Sequence, residues 1–120
     1  CMNYNTIGRT VFTPIEYGSV GYSEEDACEK FGRKNINVYR KSFVPLEWSL
    51  SDSRCRRSAF TKVIVQRGND GLILGIHYLG PAAGEVLQGY IVAIKKGITL
   101  KDLEDTVGIH PTCSEDSVLH

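Results

Sequence analysis

Two apolar, β-prone segments joined by a short turn decide the fold of this chain. The first segment is Ala59-Phe60-Thr61-Lys62-Val63-Ile64-Val65-Gln66, the turn is Arg67-Gly68-Asn69-Asp70-Gly71, and the second segment runs from Leu72 to Leu79. β-Branched residues at the centre of the first segment favour a strand. Gly, Asn and Asp accept the positive φ angles of a tight turn. The sequence therefore predicts an antiparallel hairpin over residues 59–79.

Helices and further strands are predicted on both sides of this hairpin. Thr10 to Thr13 is a short β-prone run before Pro14, and Asn35 to Arg40 alternates as a strand does. Ser23-Glu24-Glu25-Asp26 is typical of a helix N-terminus, and Gly32 ends that helix. Apolar residues at helical spacing predict the longest helix over 82–96, and Thr99 caps a short helix after it.

This order of elements predicts the fold class. Antiparallel hairpins with helices between them are typical of an α+β domain, so we expect an antiparallel sheet with helices packed on one face. The chain contains neither G-x-G-x-x-G nor a Walker loop, so it is not expected to form a nucleotide-binding fold of its own.

Composition narrows the function classes. The 120 residues include 14 basic and 14 acidic side chains, so long-range attraction to nucleic acid or to an anionic membrane is not expected. No apolar run approaches the ~18–20 residues of a membrane span. Cys1, Cys28, Cys55 and Cys113 form no C-x-x-C pair, so neither a zinc ribbon nor a thioredoxin-like redox motif is supported. Scattered cysteines favour free thiols in a reducing compartment, so we expect the cytoplasm, with the mitochondrion as the alternative.

Some polar and glycine positions have both a structural and a functional interpretation. Arg54, Arg56 and Arg57 could bind phosphate, but we favour a solvated loop. His77 lies in a predicted strand and is interpreted as a hydrogen-bonded sheet histidine, since no metal ligand has matching spacing. Gly84 and Gly89 each cost a helix interior roughly 1 kcal/mol relative to alanine. This cost suggests close approach by another backbone, either the sheet or a partner subunit.

The strongest candidate for chemistry is the closing segment Gly108-Ile109-His110-Pro111-Thr112-Cys113-Ser114-Glu115. His110 can take and give protons near neutral pH, and a carboxylate such as Glu115 can orient and charge-stabilise an imidazole. Thr112-x-x-Glu115 is also a capping box, so Glu115 has a structural alternative. A third hypothesis, with Cys113 as a nucleophile beside His110, is weaker because neighbours in an extended segment usually point apart. Pro111 biases His110 toward extended geometry.

Five segments of the sequence together resemble a known protein family. The chain resembles the C-terminal dimerisation (interface) domain of pyridine nucleotide-disulfide oxidoreductases, and within that family it is most similar to high-molecular-weight thioredoxin reductase and thioredoxin-glutathione reductase. The resemblance covers roughly Thr10 to Glu115. It is carried by Val11-Phe12-Thr13-Pro14-Ile15-Glu16-Tyr17-Gly18, Ser23-Glu24-Glu25-Asp26-Ala27, Pro45-Leu46-Glu47-Trp48, Leu79-Gly80-Pro81-Ala82-Ala83-Gly84-Glu85-Val86-Leu87-Gln88-Gly89-Tyr90 and the closing segment.

The resemblance implies a function. Residues 1–9 would be a linker from a flavin-binding domain, and residues 10–120 an interface domain truncated at its C-terminus. The parent would be a homodimer that uses FAD and NADPH to reduce thioredoxin or glutathione disulfide, with neither cofactor held stably by this chain alone. His110 would serve in trans as acid–base for the partner's dithiol, and Glu115 would hold it. His110 and Pro111 would lie near the flavin.

Departures from the family leave alternatives open. After Glu115 the chain reads Asp116-Ser117-Val118-Leu119-His120, where close relatives carry an aromatic residue, threonines and a cysteine–selenocysteine tail. Asp116 could compete with Glu115 for His110. The alternatives are a non-catalytic interaction module with the same fold and the equivalent domain of glutathione reductase. No metal site is predicted.

Overall fold

The predicted hairpin lies at the centre of a five-stranded antiparallel sheet. In a computed structural model that describes residues 6–45, 48 and 58–109, β4 (Ala59–Gln66) pairs with β5 (Ile73–Gly80) from Phe60 opposite Leu79 to Val65 opposite Ile73. β1 (Arg9–Val11) and β2 (Glu16–Gly21) extend the sheet beyond β5, and β3 (Ile36–Phe43) pairs with β4. The order across the sheet is β1-β2-β5-β4-β3, and all neighbours are antiparallel. The antiparallel α+β fold class is confirmed.

Three helices follow the predicted positions. They are α1 (Glu24–Phe31), α2 (Ala83–Lys95) and α3 (Leu100–Glu104). The apolar residues at helical spacing in α2 face inward: Ala83 and Leu87 are buried, and Val86, Tyr90, Ile91 and Ile94 pack against the same core.

The helices lie on both faces of the sheet rather than on one. The larger core cluster joins Val63 and Ile76 of the sheet to Leu87 and Leu103 of α2 and α3. A smaller cluster joins Ile64 to residues of α1, β3 and β5: Ala27, Ile36 and Leu74. Adjacent residues of a strand point to opposite faces, so Val63 and Ile64, both buried, require cover on each side. α1 supplies the second cover, because the first face is occupied by α2.

An irregularity in the central hairpin helps to build the smaller cluster. The pairing of β4 with β5 shifts between Ile64 and Val65, so that Leu74 is an additional residue in β5. The carbonyl of Leu74 accepts a hydrogen bond from the Tyr22 N–H at 2.9 Å. A Cβ on Gly75 would overlap the Tyr22 carbonyl oxygen, so only glycine permits this close approach. The bulge places Leu74 in the cluster beneath α1.

The helix N-termini are capped in different ways. Ser23 Oγ accepts from the Asp26 N–H at 3.1 Å, and Thr99 forms a reciprocal capping box with Asp102, as the sequence predicts. α2 begins differently, since Ala82 has a φ of 53° and offers no capping side chain. Its Ala83 N–H instead donates to Glu16 Oε2 at 2.8 Å. A carboxylate from β2 therefore caps the longest helix, where an anion is favoured by the helix dipole.

The remaining boundaries differ slightly from the predictions. β1 already includes Arg9, which pairs with Ser19, and β3 continues to Phe43 beyond the predicted Arg40. The loop with Arg54, Arg56 and Arg57 falls outside the described residues. No helix in the described part of the chain is long and apolar enough to cross a bilayer.

Candidate functional site

α3 fixes the start of the closing segment. Leu103 is buried against the larger cluster, and the Ile73 N–H donates to the Ile98 carbonyl at 3.0 Å, which ties the segment before α3 to the sheet. Thr106 Oγ donates to the Asp102 carbonyl at 2.6 Å. Because the cap, the core contact and this hydrogen bond act together, the chain leaves α3 from a defined position.

Two exposed apolar side chains lie between α3 and His110 in the sequence. Val107 is 88% exposed and Ile109 is 76% exposed. His110, Pro111, Cys113 and Glu115 lie outside the residues that the structure describes. The pairing of His110 with Glu115, the capping-box alternative and the Cys113 hypothesis therefore stay predictions. What the structure places is the approach to them, at the end of α3.

His77 is the only histidine within the described ranges, and it is the hydrogen-bonded sheet residue that the sequence indicates. Tyr17 Oη lies 2.7 Å from His77 Nδ1, and the Tyr22 carbonyl oxygen lies 3.1 Å from Nε2. A carbonyl can only accept, so Nε2 carries the proton. Nδ1 of the neutral ring then accepts from the Tyr17 hydroxyl. Both nitrogens are occupied, so the neutral ring has no free position for acid–base chemistry on a ligand.

Burial holds this ring neutral. Removal from water disfavours the imidazolium and lowers the pKa of His77, and the positive charge of Lys62 lowers it further. The hydrogen bond to the Tyr22 carbonyl and the charges of Glu25 and Glu24 oppose the shift without reversing it. His77 forms one wall of an open cleft of about 390 Å³ that also contains Arg9.

Sequence reasoning found His77 but missed its partners. Tyr17 reaches the histidine because the pairing of β2 with β5 sets Ser19 opposite His77 and Leu79 opposite Tyr17, on one face of the sheet. Nothing in the local sequence specifies that register. Within the described segments, no cluster of three His, Cys, Asp or Glu side chains could hold a metal ion.

The outward face of α2 is a second candidate surface. Four of its exposed residues recur at helical spacing and form a stripe: Glu85, Gln88, Gly89 and Val92. We call this stripe the outer face of α2. A Cβ on Gly89 would meet nothing within 4 Å among the described residues, and one on Gly84 would meet side chains of Thr10 and Phe12 at 3.7–3.8 Å. Among the described residues, the sheet backbone therefore does not explain either glycine.

Comparisons with known proteins identify the family. The model of the family described as "Pyridine nucleotide-disulphide oxidoreductase, dimerisation domain" matches residues 7–119, which include the whole closing segment. The chain belongs to this family.

One relative in sequence and one in structure resemble the chain along nearly its whole length. Thioredoxin reductase SEP1 of Emiliania huxleyi is 45% identical over 121 residues, which cover 98% of this chain and 24% of that protein. The crystal structure of LpdA from Mycobacterium tuberculosis matches with a TM-score of 0.74 at 22% identity, over 98% of this chain and 24% of the other. The second likeness shows the fold. This dimerisation domain therefore spans about a quarter of the length of each relative and is close in sequence to a thioredoxin reductase.

Proposed function

We propose that this chain is the dimerisation and acid–base domain of an FAD- and NADPH-dependent thioredoxin reductase. The observation that carries the proposal is the 45% identity to a thioredoxin reductase along 98% of the chain. In this proposal residues 1–9 link to a flavin-binding domain and residues 10–120 form the interface domain. The parent is a homodimer of the cytoplasm or mitochondrion, and its substrate is the disulfide of thioredoxin, or also of glutathione.

His110 is proposed to act in trans on the dithiol of the partner subunit. Disulfide exchange needs a thiolate as nucleophile and a proton for the leaving thiolate. A positioned imidazole can accept the proton from the first thiol and return it to the second, which typically contributes ~10²–10⁴-fold. Glu115 would favour the imidazolium that forms in between. The exposed residues just before His110 suit this role, because Val107 and Ile109 offer apolar surface for a neighbouring subunit.

The described residues do not by themselves fit a flavin or a nicotinamide nucleotide. Such cofactors are held by glycine-rich turns between a parallel strand and a helix, whereas every strand pair here is antiparallel. We therefore assign FAD and NADPH to other domains of the parent. His110 and Pro111 are the residues of this chain proposed to lie near the flavin.

The outer face of α2 is proposed to contribute to pairing. It combines an apolar Val92 with Gly89, over which the surface is open. A glycine on an exposed helix face lets a second backbone approach closely, which repays its cost in helix stability. This assignment agrees with the interface position that the family resemblance implies for the helix.

Substitution of His110 in the full-length parent enzyme tests the acid–base role. We expect His110→Ala to slow disulfide turnover by about 10²-fold or more, while flavin reduction by NADPH, followed by stopped-flow absorbance, stays close to wild type. His120→Ala removes a histidine from the same chain end and is the matched control. Equal slowing of both half-reactions by His110→Ala would contradict the role. So would normal turnover, which is the result expected for a non-catalytic interaction module.

A second pair of variants separates the two interpretations of Glu115. Glutamine also fits the fourth position of a capping box, so Glu115→Gln keeps the cap and removes the charge. If Glu115 supports the imidazolium, Glu115→Gln shifts the acidic limb of the pH–rate profile to lower pH and slows turnover, while Thr112→Ala has a smaller effect. An unchanged profile in Glu115→Gln, with loss of stability in Thr112→Ala, would leave Glu115 only as a cap.

Activity of the intact parent on each disulfide tests the substrate assignment. We expect a higher kcat/KM with thioredoxin disulfide than with glutathione disulfide, measured by NADPH oxidation. The reverse order would favour the glutathione reductase alternative.

A further inference from the structure

A cleft with several arginines lies between α1 and β3, on the face of the sheet opposite α2. Its volume is about 260 Å³. Its polar lining residues come from α1, from the turn after it, from β3 and from the end of β4: Glu24, Arg33, Asn37, Arg40 and Arg67. None of these residues has a part in the proposed redox function. The cleft therefore requires an explanation of its own.

Positive charge in this cleft exceeds negative charge. Glu24 is the one carboxylate among its described lining residues, and it is shared: Arg40 Nη2 lies 2.7 Å away and Lys62 Nζ 3.5 Å away. Burial disfavours the charged carboxylate, but the hydrogen bond and charge of Arg40, with the charge of Lys62, outweigh it, so the pKa of Glu24 is lowered. One ionised carboxylate thus stands against three arginines in the cleft lining, in a chain whose formal net charge is zero.

Two of the arginines retain donors for a ligand. Within the described part of the chain, Arg33 has no hydrogen-bond or ion-pair partner. Arg67 Nε donates to Asn37 Oδ1 at 2.7 Å, which orients the guanidinium without neutralising it. A guanidinium presents five N–H donors in a planar fork that matches phosphate and carboxylate oxygens. The cleft therefore offers cationic donors from separate elements of the fold, and that of Arg67 is already oriented.

We propose that this cleft binds the phosphoryl group of a small phosphorylated ligand. A phosphoryl dianion carries three acceptor oxygens and about two negative charges at neutral pH, so it can engage several guanidinium groups at once. A single carboxylate carries one charge and satisfies one fork. The number of arginines and the surplus of charge both favour phosphate over carboxylate.

Titration of the 120-residue chain with inorganic phosphate, followed by ¹H–¹⁵N chemical shifts, tests the proposal. Ionic strength is held constant with sodium chloride, because exposed charges are screened within a Debye length of about 10 Å at 0.1 M salt. We expect saturable shifts centred on Arg33, Asn37 and Arg67. Shifts that never saturate, or that spread evenly over basic residues elsewhere, would overturn the site.

Matched charge variants make the test specific. The double variant Arg33→Gln with Arg67→Gln should weaken phosphate binding at least about tenfold, since each charge-assisted hydrogen bond contributes more than a neutral one. Lys95→Gln with Lys101→Gln removes the same charge from α2 and α3 and should change affinity little. Equal weakening by both doubles would mean general attraction only and would overturn the proposal.

One further variant and one further ligand test the charge and the chemistry of the site. Glu24→Gln removes the competing carboxylate and should strengthen phosphate binding, provided that circular dichroism shows a folded chain. Weaker binding in a folded Glu24→Gln variant would contradict the cleft geometry. Succinate, a dicarboxylate, is the second probe. Succinate binding as tight as phosphate binding would overturn the assignment to a phosphoryl group.

Discussion

His77 shows how one residue can be chemically capable and still have a structural role. Its two ring nitrogens are occupied by Tyr17 and by the Tyr22 carbonyl, and burial keeps it neutral. The unfolded chain imposes neither restraint. The folded and unfolded states therefore bind protons differently, and the stability of the domain should depend on pH in a defined direction.

We expect the domain to lose stability as pH falls below about 6.5, the ordinary pKa of histidine. The pKa of His77 is lowered in the folded state. Above the pKa of His77 in the unfolded chain, the ring is neutral in both states, and the domain has its full free energy of unfolding with respect to this group. Below that pKa, His77 binds a proton in the unfolded chain but stays neutral in the folded chain. The free energy of unfolding therefore decreases until pH reaches the lowered pKa of His77 in the folded state. Urea unfolding at about pH 7.5 and about pH 5.5 measures the difference.

Two variants assign this slope to His77. His77→Gln has no titrating ring, so the difference between the two pH values should shrink, while any contribution of His110 and His120 remains in both proteins. Tyr17→Phe removes the donor to Nδ1 and should cost about 1 kcal/mol at neutral pH. It should also raise the folded pKa of His77 and reduce the slope. An unaltered slope in His77→Gln would show that other groups cause the pH dependence.

At the scale of elements, two glycines differ in their surroundings: Gly18 of β2 lies against the inner face of α2, and Gly89 lies on its outer face. A Cβ on Gly18 of β2 would overlap Leu87 Cδ1, whereas a Cβ on Gly89 would meet nothing described within 4 Å. Leu87 is fully buried and cannot move away freely. The same substitution should therefore have opposite effects at these two positions.

We expect Gly18→Ala to destabilise the isolated chain by about 1–3 kcal/mol, as overpacking of a core does. Gly89→Ala should stabilise it by up to about 1 kcal/mol, because alanine is the better helix former. Thermal and urea unfolding of the two variants measures the contrast. In the parent enzyme Gly89→Ala should weaken dimerisation, and a dimer as stable as wild type would remove the outer face of α2 from the interface.

The capping box of α3 joins Thr99 to Asp102, at the start of the helix that precedes the closing segment. Thr99→Ala should lower the free energy of unfolding by about 1 kcal/mol, the usual cost of losing an N-cap. Thr99→Ser keeps the capping oxygen and should behave almost as wild type. If His110 depends on this anchor, Thr99→Ala also reduces kcat in the parent beyond the effect of Thr99→Ser.

For the whole molecule, the decisive property is whether exposed apolar residues are covered by a second copy. Val92 on α2 and Val44 after β3 are exposed to nearly the same extent, 56% and 53%. A charge at either position should leave the isolated domain folded. In the parent enzyme we expect Val92→Asp to shift sedimentation toward monomer and to reduce disulfide turnover, since His110 would no longer reach a partner. Val44→Asp is the control, and dissociation by both variants equally would contradict a pairing surface on α2.

Local sequence predicted most elements because their signals are local. The hairpin follows from β-branched runs around a Gly-Asn-Asp turn, and α1 and α3 follow from Ser23 and Thr99, whose capping partners lie three residues away. Most apolar residues of α2 at helical spacing face the core, whereas Val92 is exposed. The candidate site is predicted in the same local way, from a histidine and a carboxylate within one short segment. Its geometry stays a prediction.

Other features were decided only by tertiary structure. The Glu16 carboxylate caps α2 across 67 positions of sequence, and Tyr17 sets the tautomer of a histidine 60 positions away. Both contacts depend on strand register, which no short window contains. Val63 and Ile64 are buried on opposite sides of the sheet, and helices from distant parts of the sequence cover them: α2 and α3 on one face and α1 on the other. Sequence alone therefore determined the elements and their family, whereas long-range pairing decided how polar and charged groups meet.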